Sequence, residues 1–277
     1  ALRMNRSELT QADCLTPSWR VSQRVHALMT TRAGGVSLPP YGRFAQGIEQ
    51  PGGLNLGLHT GDDQARVAEN RARLAALTNA RVAWLEQIHG DTVACAEDAA
   101  VSPHPLRADA CVTAAMGLAC TVMVADCLPV LLCDPAGRAV GAAHAGWRGL
   151  AAGVVEKTAA RVAHLAGVPA ASLHAWLGPA IGPKAFEVGS EVCDAFMQCA
   201  ADAKEREPTA RAFVPRADAP DKYWADLYVL ARLRLARLGV SEVGGGGACT
   251  VTERERFYSF RRDGRTGRMA ALIWLAD

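Results

Sequence analysis

Short apolar runs separated by polar turns are the main pattern along this chain, and their lengths predict strands more often than helices. Between residues 81 and 147 the runs are RVAWLEQIHG, DTVACA, ADACVTA, LACTVMVADC, PVLLCD and RAVGAAHAGW. VHALMTTR (25–32) and LHAWLGPAIG (173–182) are of the same kind. MAALIWLA (269–276) is apolar at every position. We therefore predict that it forms a strand at the centre of a sheet, buried on both faces.

Apolar residues at three- and four-residue intervals predict helices elsewhere. The predicted helices cover residues 62–78, 148–166, 189–200 and 223–238. Gly167, followed by Pro169, marks the end of the second one, which begins between Arg148 and Leu150. The Gly- and Pro-rich segment 33–53 is predicted to be a loop, and the charged segment 201–222 a mobile surface loop.

Strands and helices are mixed along the chain without the strict β–α–β alternation of a doubly wound sheet. No internal repeat, heptad or linker divides the sequence. We therefore predict an α+β (mixed α/β) fold, in which mixed β-sheets flanked by helices form a layered sandwich. One domain is expected to span residues 1–277, with roughly the first 20 residues peripheral to it.

Composition and charge exclude several classes of protein. The formal net charge is only +2, and half of the residues are hydrophobic, enough for a large core. Neither a basic arm nor an acidic tail is present, so no nucleic-acid or membrane partner is expected. The N-terminal residues lack an apolar signal-peptide core. The most apolar stretch, 118–133, is interrupted by Asp126 and Pro129 and is too short to span a bilayer, so we predict a cytoplasmic location.

The chain contains nine cysteines, none of them in a CxxC pair. An odd number of cysteines without an export signal argues against a disulfide framework, and the spacing argues against zinc ribbons and thioredoxin chemistry. Most of these residues are therefore expected to be small, buried and chemically inert.

Three candidate metal ligands each stand where an apolar run ends in a polar turn: His89, Cys127 and His144. Because the ends of neighbouring strands converge on shared clefts, these side chains can face one site. Two imidazoles and a thiolate make a three-ligand zinc site that leaves a fourth position for water, whose pKa zinc brings towards about 7. Such residues are more often structural than ligating, so the spacing alone leaves both interpretations open. His59 is a further candidate.

Nine short motifs occur in a fixed order along the chain. They are TTRAGGVS (30–37), LNLGLHTGD (54–62), QIHG (87–90), ADACVT (108–113), VADCLPVLLCD (124–134), AAHAGWRGL (142–150), LGPAIGP (177–183), FEVG (186–189) and FYSFRRDGRTGRMAALI (257–273). This set resembles the multicopper polyphenol oxidase, or laccase-domain, family, whose members are also described as purine nucleoside enzymes and as a peptidoglycan-editing factor. The resemblance implies that His89 of QIHG, Cys127 of ADC and His144 of HAGW bind the metal.

The same resemblance implies two reactions on purine nucleosides. One is phosphorolysis of adenosine, guanosine, inosine and methylthioadenosine with inorganic phosphate, and the other is hydrolytic deamination of adenosine. Deamination needs a general acid or base, for which Asp126 and Asp91 are candidates; alternatively, Asp126 caps a turn and orients a ligand. The HxE and PCxxC pattern of nucleobase deaminases is absent from the sequence, so deamination here would be a separate solution.

Phosphorolysis also needs an anion site, and HAGWRGL leads directly into a predicted helix. Arg148 in this turn, together with Arg32 and Arg261, is a candidate for a phosphate contact, although exposed arginines are commonly only solvated. Asn55 and Gln87 carry amides suited to recognition of a base or ribose. Candidates for stacking on the purine ring are Trp147, Tyr41 and Phe260.

Other functions compete with this one. The family label indicates a copper polyphenol oxidase, and a His₂Cys site can hold one copper ion. However, seven scattered histidines without an HxH pair do not readily supply a multicopper centre. Cys127 and His144 can instead act as nucleophile and base of a thiol hydrolase or amidase in peptidoglycan precursor editing. The remaining alternative is a non-enzymatic scaffold or nucleoside sensor.

Overall fold

The computed structural model describes residues 9–277, so the expectation for the first 20 residues lies partly outside the described part of the chain. Two 3₁₀-helices cover Gln11–Asp13 and Ala170–Ser172. The α-helices of this part are α1 (Gln64–Thr78), α2 (Ala96–Val101), α3 (Trp147–Ala152), α4 (Val154–Ala166), α5 (Ser190–Gln198), α6 (Ala203–Arg211), α7 (Leu227–Ala236) and α8 (Phe260–Asp263).

The strands cover the remaining regular structure of the described residues. They are β1 (Cys14–Leu15), β2 (Val25–Thr30), β3 (Ala33–Ser37), β4 (Arg43–Ala45), β5 (Ile48–Gln50), β6 (Arg81–Ala83), β7 (Leu85–Glu86), β8 (Val93–Cys95), β9 (Leu106–Arg107), β10 (Ala110–Thr113), β11 (Leu118–Val124), β12 (Leu128–Cys133), β13 (Val140–Ala145), β14 (His174–Leu177), β15 (Glu187–Gly189), β16 (Phe213–Pro215), β17 (Lys222–Ala225), β18 (Glu242–Gly245) and β19 (Met269–Leu275).

Two large sheets organise the fold. The five-stranded sheet has the order β1-β2-β19-β11-β6, and the six-stranded sheet has the order β18-β14-β12-β13-β10-β8. Both are mixed: β6 runs parallel to β11 and β8 parallel to β10, whereas β11 with β19 and β12 with β13 are antiparallel. Smaller sheets are formed by β15-β17-β16, β4-β5 and β7-β9. These mixed sheets and their helices confirm the predicted fold class.

Strand β19 lies at the centre of the five-stranded sheet, as its wholly apolar sequence predicts. Side chains alternate between the two faces of a strand. Ala271 and Ile273 therefore enter the core between the two large sheets, whereas Leu272 and Trp274 enter a separate core that includes Leu74 of α1. One apolar strand thus serves two cores.

Helices cover the outer face of the six-stranded sheet. Val130 and Leu132 of β12 share a buried cluster with Val155 and Val162 of α4 and Leu230 of α7. The layers therefore follow the order α1, five-stranded sheet, six-stranded sheet, and α4 with α7, which is a layered sandwich of the predicted kind. In the described residues no helix combines the length and apolarity that a membrane span needs.

The helices differ from the predicted ones at two points. The helix predicted over 148–166 is interrupted at Gly153, whose φ of +93° lies in the left-handed region that glycine adopts without steric penalty. Residues 223–225 belong to β17, and the helix begins only at Leu227. Asp226 accepts a hydrogen bond from the backbone of the first helical turn and so acts as its N-cap.

Both predicted loops contain regular structure. Segment 33–53 includes β3, β4 and β5, and segment 201–222 includes α6 and β16. Asp202 caps α6 through a side-chain hydrogen bond to Glu205 N. The prediction of a loop over 201–222 was therefore wrong; β16 was missed because its pairing partners, Tyr223, Trp224 and Ala225 of β17, lie beyond the segment.

The hairpin formed by β12 and β13 brings two candidate ligands together. Leu128 pairs with Ala145 and Pro129 with His144, so Cys127, directly before β12, lies beside the end of β13. On the other side of β13, the backbone N–H of His144 donates to the carbonyl oxygen of Asp109 at 2.7 Å. The sheet register therefore determines which residues meet at this edge.

Candidate metal centre and its cavity

His89, Cys127 and His144 converge on one point although they lie far apart in the sequence. One ligand atom of each lies within 4.8 Å of those of the other two. The two imidazole rings meet edge to face, with centroids 4.9 Å apart and an interplanar angle of 77°. His144 is buried, Cys127 is half-buried and His89 is exposed. The sequence-based expectation that these side chains share a site is therefore matched by their positions.

A buried carboxylate, that of Asp109, organises this cluster. Its oxygens accept hydrogen bonds from the backbone N–H groups of Ile88, His89 and Gly90 at 3.1, 2.9 and 2.8 Å. Oδ1 also lies 2.9 Å from Nδ1 of His144. His89 has a φ of +60°, which few residues other than glycine adopt. The Asp109 carboxylate therefore stabilises the strained turn at His89 and also orients the imidazole ring of His144.

The contact with Asp109 determines which nitrogen of His144 is available. Because Nδ1 is engaged, Nε2 is the nitrogen left to face Cys127 or a cation. A carboxylate behind a ligating histidine fixes the tautomer and raises the basicity of the ligand. Burial alone would raise the pKa of Asp109, but the hydrogen bonds from His144, Gly90 and Ile88 lower it. Asp109 is therefore ionised at neutral pH.

Cys127 and His144 polarise each other. Burial opposes the charged form of Cys127, but the charge of His144 and hydrogen bonds from His144 and His89 lower the pKa of the thiol to about 6. Burial likewise opposes the charged form of His144, but Cys127 and Asp109 raise its pKa to about 9. Both shifts favour a thiolate beside an imidazolium, and a bound cation would take the place of the imidazolium proton.

The donor set fits a single metal ion of borderline softness. Nitrogen and thiolate sulfur ligands suit zinc and copper, and a three-residue set leaves room for a substrate or water. The space beside the thiolate depends on Gly146. A Cβ atom at this position would lie 3.0 Å from Cys127 Sγ and 3.4 Å from His89 Cδ2. Any larger residue at position 146 would intrude on two of the candidate ligands.

These candidate ligands form part of the wall of a cavity of about 670 Å³, a size that accommodates a small organic molecule. Its apolar wall includes Trp147, Phe186 and Phe260, of which Phe260 is 57% exposed. The basic side chains that line it are His59, Arg148, Arg261 and Arg268. The cavity therefore combines aromatic surface, positive charge and the His₂Cys cluster.

Asp126 lines the cavity, but both of its carboxylate oxygens are hydrogen-bonded. Oδ1 accepts from the Thr250 hydroxyl and Oδ2 from the backbone N–H of Arg261, each at 2.6 Å. Its backbone has a φ of +102°, and its carbonyl oxygen accepts from Ile181 N at 2.8 Å. These contacts stabilise the turn that carries Cys127. They favour the alternative in which Asp126 caps a turn and orients a ligand.

Three of the candidate substrate-binding residues line the cavity. Arg148 is exposed, with its guanidinium 4.5 Å from the centroid of the Trp147 ring. Arg261 donates to Glu187 O at 2.9 Å and is otherwise exposed. Both polar atoms of the Gln87 amide pair with the backbone of Met123, at 2.7 Å each. This amide therefore fastens the His89 turn to β11 and has less capacity left for a ligand.

The structure does not bring Arg32, Asn55 or Asp91 to the cavity wall. Arg32 has no exposed surface, and its guanidinium donates to Gly42 O and pairs with Glu49. Asn55 is also fully buried and hydrogen-bonded, and Asp91 forms an ion pair with Lys157. The predicted substrate contacts of Arg32 and Asn55 conflict with their complete burial, so we leave both out of the proposed site. Tyr41, a stacking candidate, is buried as well.

Sequence reasoning assigned no role to Asp109 and did not select Arg268. Asp109 stands in ADACVT, where one acidic residue enters an apolar run, and that isolation was an available signal of a buried, paired carboxylate. Arg268 follows several arginines in FRRDGRTGR, and nothing in the local pattern separates it from its solvated neighbours.

The fold and this site define a mixed-sheet protein with a candidate mononuclear His₂Cys metal centre. The chain belongs to the family described as multi-copper polyphenol oxidoreductase laccase, which it matches over residues 26–276. This result confirms the family that the sequence motifs indicated.

Relatives of known name share most of the sequence. Over 263 residues the chain is 51% identical to a purine nucleoside phosphorylase of Pseudomonas aeruginosa, with 95% of this chain and 98% of the relative covered. It is 50% identical over 263 residues to the purine nucleoside phosphorylase YfiH of Escherichia coli, with 94% and 98% covered.

Solved structures resemble the chain over nearly its whole length. A crystal structure of the Neisseria meningitidis protein NMB0706 has a TM-score of 0.83 at 48% identity and covers 96% of this chain and 100% of its own. YlmD of Geobacillus stearothermophilus has a TM-score of 0.76 at 31% identity, with 92% and 93% covered. The layered fold is therefore shared with these proteins.

Proposed function

We propose that this protein is a zinc-dependent purine nucleoside phosphorylase that also deaminates adenosine. The observation that carries the proposal is the His89, Cys127 and His144 cluster in the wall of a cavity large enough for a nucleoside. The names of the Pseudomonas and Escherichia relatives support the choice of substrate class. The proposed substrates are adenosine, inosine, guanosine and methylthioadenosine, with inorganic phosphate as co-substrate.

In this proposal His89, Cys127 and His144 hold the metal, and Asp109 orients His144. Zinc bound there would polarise a substrate oxygen or supply hydroxide at neutral pH. We favour zinc over copper because an oxygen-reducing multicopper centre requires several histidine clusters. Within residues 9–277 this group is the one set of three or more side chains close enough to bind a metal together.

The remaining cavity residues are assigned to the substrate. Trp147 and Phe260 provide aromatic surface for the purine, since a flat ring favours stacked or edge-to-face contacts. Arg148 and Arg261 provide charge for the phosphate or hydrogen bonds for the ribose. Asp126 positions the Cys127 turn in this proposal, because both of its oxygens already accept strong hydrogen bonds.

Phosphorolysis and deamination can be separated in one experiment. Protein with verified zinc content is incubated with adenosine, with and without phosphate, and adenine, hypoxanthine, inosine and ammonia are followed separately. Adenine is expected only when phosphate is present, whereas inosine and ammonia are expected in both conditions. If no nucleoside is converted despite stoichiometric zinc, the proposal fails and the sensor interpretation is favoured.

A matched pair of cysteine variants ties the activities to the metal. Cys127→Ala should lose zinc and both reactions together, because a thiolate ligand is removed. Cys199→Ala, at an exposed position away from the cavity, should retain all three. Full zinc occupancy in Cys127→Ala would contradict the assignment.

The pairing of Cys127 with His144 favours a second candidate function, that of a thiol hydrolase or amidase. A thiol with a pKa of about 6 beside His144 has the character of a catalytic nucleophile with its base, as in a thiol hydrolase or amidase of peptidoglycan precursors. In that case a chelator would leave activity intact and alkylation of Cys127 would abolish it. Loss of turnover on chelation, with recovery on addition of zinc, would exclude this alternative.

A further inference from the structure

Arg268, directly before β19, is a cavity residue without a salt bridge. It is half-buried, yet no carboxylate of residues 9–277 lies within salt-bridge distance of its guanidinium. Nη1 donates to the carbonyl oxygens of Thr266 and Gly267 at 3.3 and 3.1 Å. Nε and Nη2 donate to no acceptor within the described part of the chain. Two N–H edges of a cavity arginine therefore remain for a ligand.

The more deeply buried arginines Arg32 and Arg234 each lie close to a glutamate, which Arg268 does not in the described part of the chain. Arg32 pairs with Glu49 at 3.2 Å, and Arg234 lies 3.6 Å from Glu156. Burying a charge without a partner is costly, which is why such pairs are the rule. No carboxylate of residues 9–277 forms such a direct pair with Arg268, although the charges of Cys127 and Asp126 act on it from beyond salt-bridge distance.

A second arginine without a salt bridge is Arg71 of α1, whose charge, like that of Arg268, acts on His59. Its guanidinium lies 3.8 Å from the centroid of the Trp84 ring, and Nε donates to Leu56 O at 2.9 Å. None of the carboxylates in residues 9–277 lies within salt-bridge distance of it. Burial lowers the pKa of Arg71 to about 10, so it remains protonated at neutral pH.

His59 lies within the field of both arginines. It lines the cavity, and neither of its ring nitrogens has a hydrogen-bond partner in the described residues. Its pKa is lowered, first by burial and then by the charges of Arg268 and Arg71. A neutral imidazole at this position can accept a hydrogen bond from a protonated ligand oxygen or donate one to an unprotonated ligand oxygen.

The backbone holds this group in place before any ligand binds. Asn55 Oδ1 accepts from the backbone N–H groups of Arg268 and Gly57 at 2.9 and 3.0 Å. A Cβ atom at Gly57 would lie 2.8 Å from Arg268 Cγ, so the stem of Arg268 packs directly on this glycine. Asn55 therefore contributes by positioning Arg268, although it has no access to the cavity.

We propose that Arg268 and His59, with Arg71 behind them, form the subsite that binds the phosphate co-substrate. This inference rests on the proposed phosphorolysis. The N–H edges of an arginine match the oxygens of phosphate in a bidentate contact. Hydrogen phosphate carries two negative charges and so compensates two arginines, whereas a carboxylate compensates only one.

The proposed subsite lies in the same cavity as the candidate metal ligands. Burial lowers the pKa of Arg268, and the charges of Cys127 and Asp126, which line the same cavity, act in the opposite direction. In the reaction, a phosphate oxygen bonds to C1′ of the ribose as the bond from C1′ to N9 breaks. The bonding pair leaves with the purine, and the proton of hydrogen phosphate passes to it through solvent.

The test measures binding of inorganic phosphate by calorimetry to zinc-loaded protein at constant ionic strength, independently of turnover. The variants are Arg268→Gln, His59→Asn and, as a control for net charge, Arg43→Gln, whose exposed guanidinium donates to Pro51 O and Gln50 Oε1. We expect the Kd for phosphate to rise at least about tenfold in Arg268→Gln and about threefold in His59→Asn, with the control unchanged. Acetate should bind far more weakly than phosphate.

Each variant is also checked for zinc content and thermal unfolding; if Arg268→Gln fails to fold, His59→Asn on its exposed turn carries the test. Unchanged phosphate affinity in a folded Arg268→Gln, or acetate binding as tight as phosphate, would overturn the subsite. If phosphate binding depends on Arg268 but no nucleoside is cleaved, the proposed function fails and the subsite stands. If phosphorolysis proceeds with an unchanged KM for phosphate in Arg268→Gln, the subsite fails and the function stands.

Discussion

Nδ1 of His144 lies 2.9 Å from Oδ1 of Asp109, and the same carboxylate accepts hydrogen bonds from the backbone turn that carries His89. Asp109 therefore couples the orientations of two candidate metal ligands, one in a turn and the other in strand β13. Its side chain is fully buried, and within residues 9–277 its hydrogen-bond partners are the backbone N–H groups of residues 88–90 and the His144 ring. The metal affinity of the site should depend on this residue although it does not face the metal.

Asp109→Asn should weaken zinc binding by roughly 10- to 100-fold, the usual cost of removing a carboxylate behind a ligating histidine. The amide keeps one oxygen acceptor but places an N–H₂ group against backbone donors. We therefore expect a loss of unfolding free energy of about 1–3 kcal/mol as well. Competition with a chelating dye measures the first effect and urea unfolding the second. Wild-type zinc affinity in this variant would show that Asp109 does not orient the ligands.

Gly146→Ala tests the space around the thiolate. The backbone at Gly146 has a φ of −62°, which alanine adopts without strain, so the effect comes from the added methyl group alone. That group would lie 3.0 Å from Cys127 Sγ, and we expect zinc affinity to fall by about tenfold while the protein remains folded. Gly247→Ala is the matched control, because a Cβ there meets nothing within 4 Å. Equal zinc affinities of the two variants would refute this account.

Arg148→Ala should reduce phosphorolysis more than deamination. Its guanidinium faces the cavity and forms no ion pair in residues 9–277, so its removal should leave stability unchanged. We expect a loss of about fivefold in kcat/KM for phosphorolysis, or roughly 1 kcal/mol, and a smaller loss for deamination. Steady-state assays of both reactions check this, with Arg43→Ala as the control. Equal losses in the two reactions would indicate that Arg148 acts on the structure or on the nucleoside alone.

The pH dependence of stability should include a contribution from Asp134, which lies in the turn between β12 and β13. Hydrogen bonds from Arg138 lower the pKa of Asp134, so the folded state binds its proton less readily than the unfolded state. The stabilisation is therefore present above the unfolded pKa, about 3.9, and is lost as the pH falls through the lower folded value. Asp134→Asn should cost about 1 kcal/mol at neutral pH and progressively less in acid.

Urea unfolding of wild type and Asp134→Asn over a series of pH values tests this prediction. The difference in unfolding free energy should be constant above about pH 5 and should shrink below about pH 4. Zinc affinity at neutral pH should not change, because Asp134 lies at the opposite end of the hairpin from Cys127. A difference that stays constant into strong acid would show that the carboxylate charge is not what stabilises the turn.

The local hydrophobic pattern was sufficient to predict the strands and helices that consist of one continuous apolar or periodic segment. The wholly apolar segment at 269–276 predicted a central strand, and β19 occupies that place because both of its faces are covered by cores. Periodic apolar positions likewise located α1 and α5. The pattern was insufficient at 223–225, where pairing with β15 and β16 overrides an apparent helical period.

By itself, the sequence determined the family and the mixed fold class, because ordered motifs and hydrophobic periodicity are local properties of the chain, and the family resemblance indicated His89, Cys127 and His144 as candidate ligands. Only the tertiary structure decided which arginines are buried in ion pairs and which ones line the cavity. Arg32 is enclosed and paired with Glu49, whereas Arg268 enters the cavity without a carboxylate partner. Burial and charge pairing depend on neighbours supplied by distant segments. Two motif arginines that the sequence cannot distinguish therefore differ in the folded protein: one is buried in an ion pair, and the other is a candidate anion ligand.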